Sequence, residues 1–454
     1  MTTTLWAASA LLADGWADSV ELSIDANGDI AGISVDTPCR SDTRVDILLP
    51  AIPNVHSHAH QRAMAGLGER ASAGGDSFWT WRQVMYHYLE RIRPEHLEAI
   101  AAQLYVEMLK AGYSSVGEFQ YLHHDLDGRA YASRAEMTLR CLAAARDTGI
   151  GFTALPVLYR YGGFGGADPV EGQKRFLNDA DDFVDIVQAL QSACGGDPNC
   201  AVGIAPHSLR AVTRELLDDV INGLDDLAAI HLHIAEQTRE VEDCEAWSGQ
   251  RPVEWLFEHF DIDRQWCLIH ATHMTSAETR QMAQSGCVAG LCPTTEANLG
   301  DGFFNAVEYL DAGGAWAIGS DSHISIDPVE ELRWLEYGLR LQTRQRNLLS
   351  APDRLNTGRY LLDGALAGGA RACGRNIGAI ATGMRADLVT LDAEHPRLYG
   401  RSRDELIDSW VFSGNDRLVR DVYVGGRRVI HDGQHANEAA IATRYRETLD
   451  QLAD

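Results

Sequence analysis

The stretch Ile52-Pro53-Asn54-Val55-His56-Ser57-His58 ends an apolar run in two histidines one residue apart. On an extended strand, residues i and i+2 face the same side, so both imidazoles aim at one point beyond the strand's carboxyl end. Further along, His233 ends the run Ile230-His231-Leu232-His233, His270 follows Cys267-Leu268-Ile269, and Asp321 follows Ala317-Ile318-Gly319-Ser320. A lone histidine among 17 is ordinarily structural, and a lone His-x-His arises by chance. The weight lies in the ordered set, each member closing its own strand-like run. Nitrogen donors plus one carboxylate, with a position left for water, suit a catalytic zinc; divalent iron or manganese suits the same donors. The candidate metal ligands are His56, His58, His233 and Asp321. His231 competes with His233, since the two share a strand face, and Glu236 three residues further on favours His233.

These runs belong to a longer alternation of apolar strands with amphipathic helices, which points to βα units and a parallel sheet. The strand candidates are Asp46–Pro50 running on to Val55, Ser115–Phe119, Gly151–Val157, Ala201–Ala205, Ala229–Ile234, Cys267–Ile269, Gly286–Leu291 and Ala315–Ile318. Helices are expected between them, over Pro94–Lys110, Arg134–Asp147 and Ala180–Gln191 among others. The set predicts an α/β chain built on a (β/α)8 barrel, whose function gathers at the carboxyl ends of its strands. Both ends of the chain read differently. Leu5–Leu12, Ser19–Ile24 and Ile30–Ser34, then Asp387–Leu391, Ser409–Phe412, Val419–Val424 and Arg428–Ile430, are strand-like and separated by turns such as Asp14-Gly15, Asn27-Gly28 and Gly425-Gly426. Residues 1–50 plus 378–454 are therefore expected to build a small β-sandwich domain, with 51–377 forming the metal-dependent barrel.

At 454 residues the chain is long enough for this pair of units, and 45% hydrophobic with 23% charged residues is ordinary for a globular protein. A formal charge of −26 disfavours nucleic acid and anionic membrane surfaces as partners. An anionic substrate would therefore need local arginines. The nine cysteines include no Cys-x-x-Cys pair, so neither a zinc ribbon nor a disulfide framework is expected. Cys194 and Cys200 flank Gly195-Gly196-Asp197-Pro198-Asn199 at a spacing that could close a loop, but a reducing compartment favours free thiols. Met1–Trp16 is apolar without a preceding Lys or Arg, and no run approaches the roughly 20 residues of a membrane span. A cytoplasmic protein is expected.

The residues carry a resemblance beyond the metal pattern. His56-Ser57-His58-Ala59-His60-Gln61-Arg62-Ala63-Met64-Ala65-Gly66, Asp76-Ser77-Phe78-Trp79-Thr80-Trp81-Arg82, Glu107-Met108-Leu109-Lys110-Ala111-Gly112-Tyr113 and Tyr121-Leu122-His123-His124-Asp125 run through its first half. It continues through His231–Glu236, His270-Ala271-Thr272-His273 and Ser320-Asp321-Ser322-His323. The chain resembles the amidohydrolase superfamily and, within it, the N-formimino-L-glutamate iminohydrolases (formimidoylglutamate deiminases) of histidine degradation. The resemblance implies zinc-dependent hydrolysis of N-formimino-L-glutamate to N-formyl-L-glutamate and ammonia. It implies catalytic roles for Glu236, His270 and Asp321, with Glu236 carrying protons to the substrate nitrogen. It places Gln61, Arg82, Tyr121, His207 and Arg210 at the substrate, Arg82 on an aromatic loop able to fold over the site. One departure stands out: Phe is expected where His60 stands, and the extra imidazole either alters the pocket or turns outward, the second being the expectation.

Many superfamily members hold two metals bridged by a carboxylated lysine at a strand end. The only lysines are Lys110, in a helical run, and Lys174, in a polar segment. Neither ends a strand, and Ala205-Pro206-His207-Ser208 offers no bridging side chain, so one Zn2+ per subunit is expected. Relatives commonly form homodimers, which is the expected assembly. The competing enzyme reading is a deaminase of a cyclic amidine, a purine or pyrimidine-type base, which has no need of two arginines. A catalytically dead barrel is the remaining reading; all four ligands, Glu236 and His270 are nevertheless present.

Overall fold

The computed structural model describes residues 3–71 and 77–453; Asp76, part of one quoted stretch, and the chain-terminal positions Met1, Thr2 and Asp454 lie outside them. The amino-terminal segment forms strands β1 (Thr3–Leu12), β2 (Gly15–Ile24), β3 (Ile30–Ser34) and β4 (Arg44–Pro50). The barrel strands follow: β5 (Ile52–Ser57), β6 (Tyr113–Gln120), β7 (Gly151–Leu158), β8 (Cys200–Val202) with β9 (Ala205–Pro206), β10 (Ile230–Ile234), β11 (Trp266–His270), β12 (Val288–Leu291) and β13 (Ala315–Ile318). Near the carboxyl end come β14 (Leu388–Leu391), β15 (Val419–Val424), β16 (Arg427–His431) and β17 (Gln434–His435).

The barrel strands pair in parallel as β5-β6-β7-β8 and β10-β11-β12-β13, and β9 continues the fourth position beside β7. Parallel bridges Ser57 to Asp321 and Ile204 to Ile230 join these two arcs into a ring. Every residue of β6, β7 and β10 is buried, as a parallel strand covered on both faces requires. The helix Pro94–Ala111 shows how the outer layer is built: proline opens it, its inner face buries residues from Leu97 to Leu109, and Gly112 ends it at φ 109°. A Cβ at Gly112 would lie 3.1 Å from Val419, so the turn needs both the left-handed backbone and the missing side chain.

Both ends of the chain meet in one eight-stranded sheet, ordered β17-β16-β15-β14-β4-β1-β2-β3. Here the apolar run from Asp46 to Val55 divides. Its first half, β4, is parallel to β1 and antiparallel to β14; only after Ala51 does the chain enter the barrel as β5. Ser409–Phe412, read as a strand, instead closes the helix Arg403–Phe412. Its buried residues Leu406, Ile407, Trp410 and Val411 recur at helical spacing, with Ser402 preceding the helix and Asp404 and Glu405 in its first turn. The chain ends in a helix, Glu438–Ala453, held to the barrel by His96 Nε2 with Gln451 Oε1 at 2.9 Å and by Arg91 donating to the Leu452 carbonyl. Cys194 and Cys200, expected as free thiols, are joined in a disulfide across the 195–199 turn, because the helix end at Cys194 returns directly into β8. Among the described residues no helix is long and apolar enough to cross a membrane.

Candidate metal centre and substrate cavity

The carboxyl ends of β5, β10, β11 and β13 carry the candidate ligands to one place. His56 and His58 leave β5 together, and their rings lie 4.7 Å apart. His233 Nε2 is 3.0 Å from His56 Nε2. Asp321 Oδ1 is 3.3 Å from His58 Nε2 and 3.5 Å from His56 Nε2. Two backbone hydrogen bonds fix which nitrogens are available. His58 Nδ1–H donates to the Phe119 carbonyl and His233 Nδ1–H to the His207 carbonyl, each at 2.9 Å. A carbonyl only accepts, so in each neutral ring the lone pair sits on Nε2, pointing inward. Burial pushes His56, His58 and His233 below the ordinary histidine range, which keeps them neutral. Inward lone pairs crowded beside a carboxylate repel one another unless a cation lies among them. His56, His58 and His233 form one group of donors that could hold a divalent ion, and His56, His270 and Asp321 form a second that shares His56 with it.

His231 does not join the centre; it sits deeper on β10 and donates from Nε2 to the Ala372 carbonyl at 2.7 Å. The lysines are also remote: Lys110 pairs with Glu438, and Lys174 with Glu171. Neither approaches the histidines, so no lysine bridge is at hand and the cluster is consistent with a single ion.

The ligand-bearing turns hold sparsely populated backbone. Ala235, His270 and Asp321 have φ of 50°, 68° and 45°, conformations that cost of order 1–3 kcal/mol each for residues with a side chain and that recur at functional sites. Buried polar chains hold these turns. Glu118 accepts from Ser57 Oγ at 2.6 Å, from the Ala59 backbone at 2.7 Å and from Tyr105 at 3.0 Å. His323 sits between Ser57 and Ser320, and Asn54 donates to Ser320. Gly319 lets β13 pass close to β5, for a Cβ there would fall 2.6 Å from His56 Cβ and 2.9 Å from its backbone nitrogen. Gly319→Ala is therefore expected to push His56 and Asp321 apart, lowering bound metal per chain at a stability cost of about 1–3 kcal/mol; elemental analysis with a thermal melt reads both.

Beside the ligands lies a cavity lined by His58, Gln61, Arg82, Tyr121, His207, Arg210, His233, Glu236, His270 and Asp321, with Phe78, Trp81, Met85, Tyr86, Tyr159 and Phe176 supplying apolar walls. All the expected substrate-side residues thus share one chamber with the candidate catalytic groups. Arg82 is not on a loop, as expected, but on the helix Phe78–Leu89. Helical spacing brings Tyr86 alongside, its hydroxyl accepting from Arg82 Nε at 2.6 Å. His60 does not turn outward: it is buried with Nε2 2.7 Å from the Tyr121 hydroxyl, to which Gln61 also donates at 3.1 Å. Burial, then Arg210 and Arg82, depress His207 well below its ordinary value, keeping it neutral between two cations.

His270 Nε2 lies 3.8 Å from Glu236 Oε1 and 3.7 Å from Asp321 Oδ2, while its Nδ1 faces Glu296 Oε1 at 3.2 Å. Burial opposes its charge, but Glu236, Glu296 and Asp321 outweigh that and raise it to about 10. Burial raises Glu236 to about 7 against the pull of His270 and Arg210. A near-neutral carboxyl can both give and take a proton. Sequence reasoning missed Tyr86, Tyr159, Glu240 and Glu296. Tyr86 had a signal, four residues beyond Arg82 on one helix face; Glu296 had none, because its partner is remote in the chain.

The amidohydrolase family model matches residues 47–429, and the model described as formimidoylglutamate deiminase HutF, N-terminal domain, matches residues 2–44. The formimidoylglutamate deiminase of Pseudomonas aeruginosa is 51% identical over 451 residues, 99% of each chain. A crystal structure of an amidohydrolase from Brucella melitensis superposes with a TM-score of 0.95 at 47% identity, covering 100% of both chains. An adenosine deaminase from Xanthomonas campestris with bound zinc shares the fold at 20% identity, with a TM-score of 0.81 over 99% of this chain and 98% of that one. The chain belongs to the amidohydrolase family and, within it, to the formimidoylglutamate deiminases.

Proposed function

We infer that the protein hydrolyses N-formimino-L-glutamate to N-formyl-L-glutamate and ammonia, a step of histidine degradation, with one zinc ion held by His56, His58, His233 and Asp321. The observation that carries this is the single chamber in which Arg82 and Arg210 share walls with the metal donors. A substrate with two carboxylates uses two guanidinium groups, whereas a neutral ring base does not.

Zinc, when bound, supplies the Lewis acidity that makes water nucleophilic near neutral pH. The chain's own groups then divide the proton work. Asp321 accepts the proton of the attacking water at a carboxylate oxygen. His270, between Asp321 and Glu236, offsets the negative charge that develops as water adds to the amidine carbon. The terminal nitrogen leaves as ammonia once it has gained both protons of the water; Glu236 delivers them in turn, one replaced from Asp321 and one taken from the new hydroxyl, and the C–N bond breaks as the formyl carbonyl forms. Tyr121, held by Gln61 and His60, and neutral His207 furnish polar contacts along the substrate, and Arg210 and Arg82 pair with its carboxylates.

The test is ammonia release from N-formimino-L-glutamate by the purified protein. Turnover is expected, with loss after prolonged chelation and return on adding zinc; iron and manganese are compared in the same assay. Turnover of a purine or pyrimidine with none of the linear amidine would sink the substrate assignment.

A further inference from the structure

Glu240 has no part in the chemistry just described and does not line the chamber, yet it is fully buried. It lies in the first turn of the helix Thr238–Ser248, which follows β10 directly. One oxygen, Oε1, accepts from the Ala235 backbone N–H at 3.2 Å; the other, Oε2, accepts from the Glu236 backbone N–H at 3.1 Å. These amides belong to the turn that carries the chain from ligand His233 to Glu236, and Ala235 stands there at φ 50°. The Ala235 carbonyl is occupied as well, accepting from His273 N–H at 2.9 Å. The turn is thus fastened on both sides, with Glu240 supplying both acceptors on one of them.

The same Oε2 atom lies 3.9 Å from Arg210 Nη2, and the Arg210 side chain is only 14% exposed. Arg210 and Glu236 both line the substrate chamber. Without Glu240, the carboxylate best placed to neutralise this buried guanidinium would be that of Glu236 itself. Such a pairing would pull Glu236 away from His270 and hold it ionised. Glu240, which does not line the chamber, gives Arg210 a second carboxylate to face, and Arg210 remains in the chamber wall for an incoming carboxylate.

We propose that Glu240 is a positioning residue that joins the two halves of the site, fixing the Ala235–Glu236 turn through its two oxygens and holding Arg210 apart from Glu236. The inference rests on the functional reading above for the roles of Glu236 and Arg210. Glu240 touches neither substrate nor metal.

Glu240→Gln keeps the size but removes the charge and turns an amide NH2 toward one of the two backbone donors. A displaced reacting group costs about 100-fold in kcat, and that loss is expected here. KM for N-formimino-L-glutamate should also rise, because Arg210 then pairs with Glu236. An N-formimidoyl alkylamine without carboxylates should show the same loss in kcat with no change in KM. Amide hydrogen exchange supplies a readout independent of turnover: Ala235 and Glu236 amides should be protected in the unaltered protein and exchange markedly faster in the variant. If Glu240→Gln does not fold, Glu240→Asp, which keeps both acceptors but recedes by one methylene, carries the same measurements with smaller shifts in the same directions. A lower melting temperature with unchanged kcat, KM and Ala235–Glu236 exchange in the folded variant would overturn the proposal. Failure of the functional reading looks different: the unaltered protein would not turn over the amidine at all.

Discussion

Glu236→Gln is expected to lower kcat by about 10²–10⁴-fold, with metal content and melting temperature unchanged. The side chain is buried, and an amide of the same shape fills its place. Its backbone N–H still reaches Glu240, so the turn keeps its form. What disappears is a carboxyl that burial raises to about 7, a group able to pass a proton to the leaving nitrogen at the working pH. An amide cannot do so. The interaction is made only as the C–N bond breaks, so kcat and kcat/KM should fall together while KM stays near its original value. Steady-state ammonia release, with elemental analysis of the same preparation, reads both quantities. A variant with full metal and nearly full kcat would move the proton transfer to Asp321 or His270.

The metal centre was legible in the sequence because its signals are local. His56-Ser57-His58 converges by strand periodicity alone, and His270 and Asp321 each end an apolar run. Choosing between His231 and His233 required depth along β10, a property that two residues on one strand face do not encode; in the structure His231 is turned to the Ala372 carbonyl, while His233 Nε2 lies 3.0 Å from His56 Nε2. The join of β4 to β5 was invisible for a related reason. Both strands are almost wholly buried, so the run from Ile47 to Val55 is apolar except for Asn54 although it crosses from one sheet to another at Ala51. Ser409–Phe412 misled because four residues rich in aromatic and β-branched side chains favour a strand, whereas the pattern that decides, Leu406 through Val411, spans a helical turn and a half. The aromatic segment at Phe78–Trp81 was read as a loop on the same short window, and the helix emerges only when Met85 and Leu89 are included. His60 was expected to turn outward because no partner for a buried ring there is visible in the neighbouring sequence. Tyr121, distant in sequence, provides the hydrogen bond that makes its burial tolerable. Glu240 was passed over for the same reason: its partners are backbone amides and a remote arginine, and nothing in a carboxylate near a helix start announces them.

Arg210→Met should do to substrate selection what Glu236→Gln does to chemistry. The Arg210 side chain is only 14% exposed, and its charge is sustained, against the cost of burial, by Glu240 and then Glu236. Arg82 is looser, set on the helix Phe78–Leu89 and engaged with the Tyr86 hydroxyl. Truncating one partner of a buried charge pair costs about 2–5 kcal/mol, roughly 30- to 4,000-fold in kcat/KM, and N-formimino-L-glutamate should lose activity on that scale. Part of the loss comes from Glu240, which is left buried without its cation. Two substrates separate the parts. A carboxylate-free N-formimidoyl alkylamine has no bond to lose with Arg210, so its kcat/KM should fall only by the share that Glu240 and the Glu236 turn contribute. The difference between the two substrates is then the value of Arg210 to the substrate carboxylate. Arg82→Met should show the same preference with a smaller difference, because Arg82 Nε is engaged by the neutral Tyr86 hydroxyl and its removal strands no buried carboxylate. Equal losses on both amidines would mean that Arg210 serves the turn and not the substrate. The case for a dicarboxylate would then fall, and cyclic amidines would become the substrates to assay first.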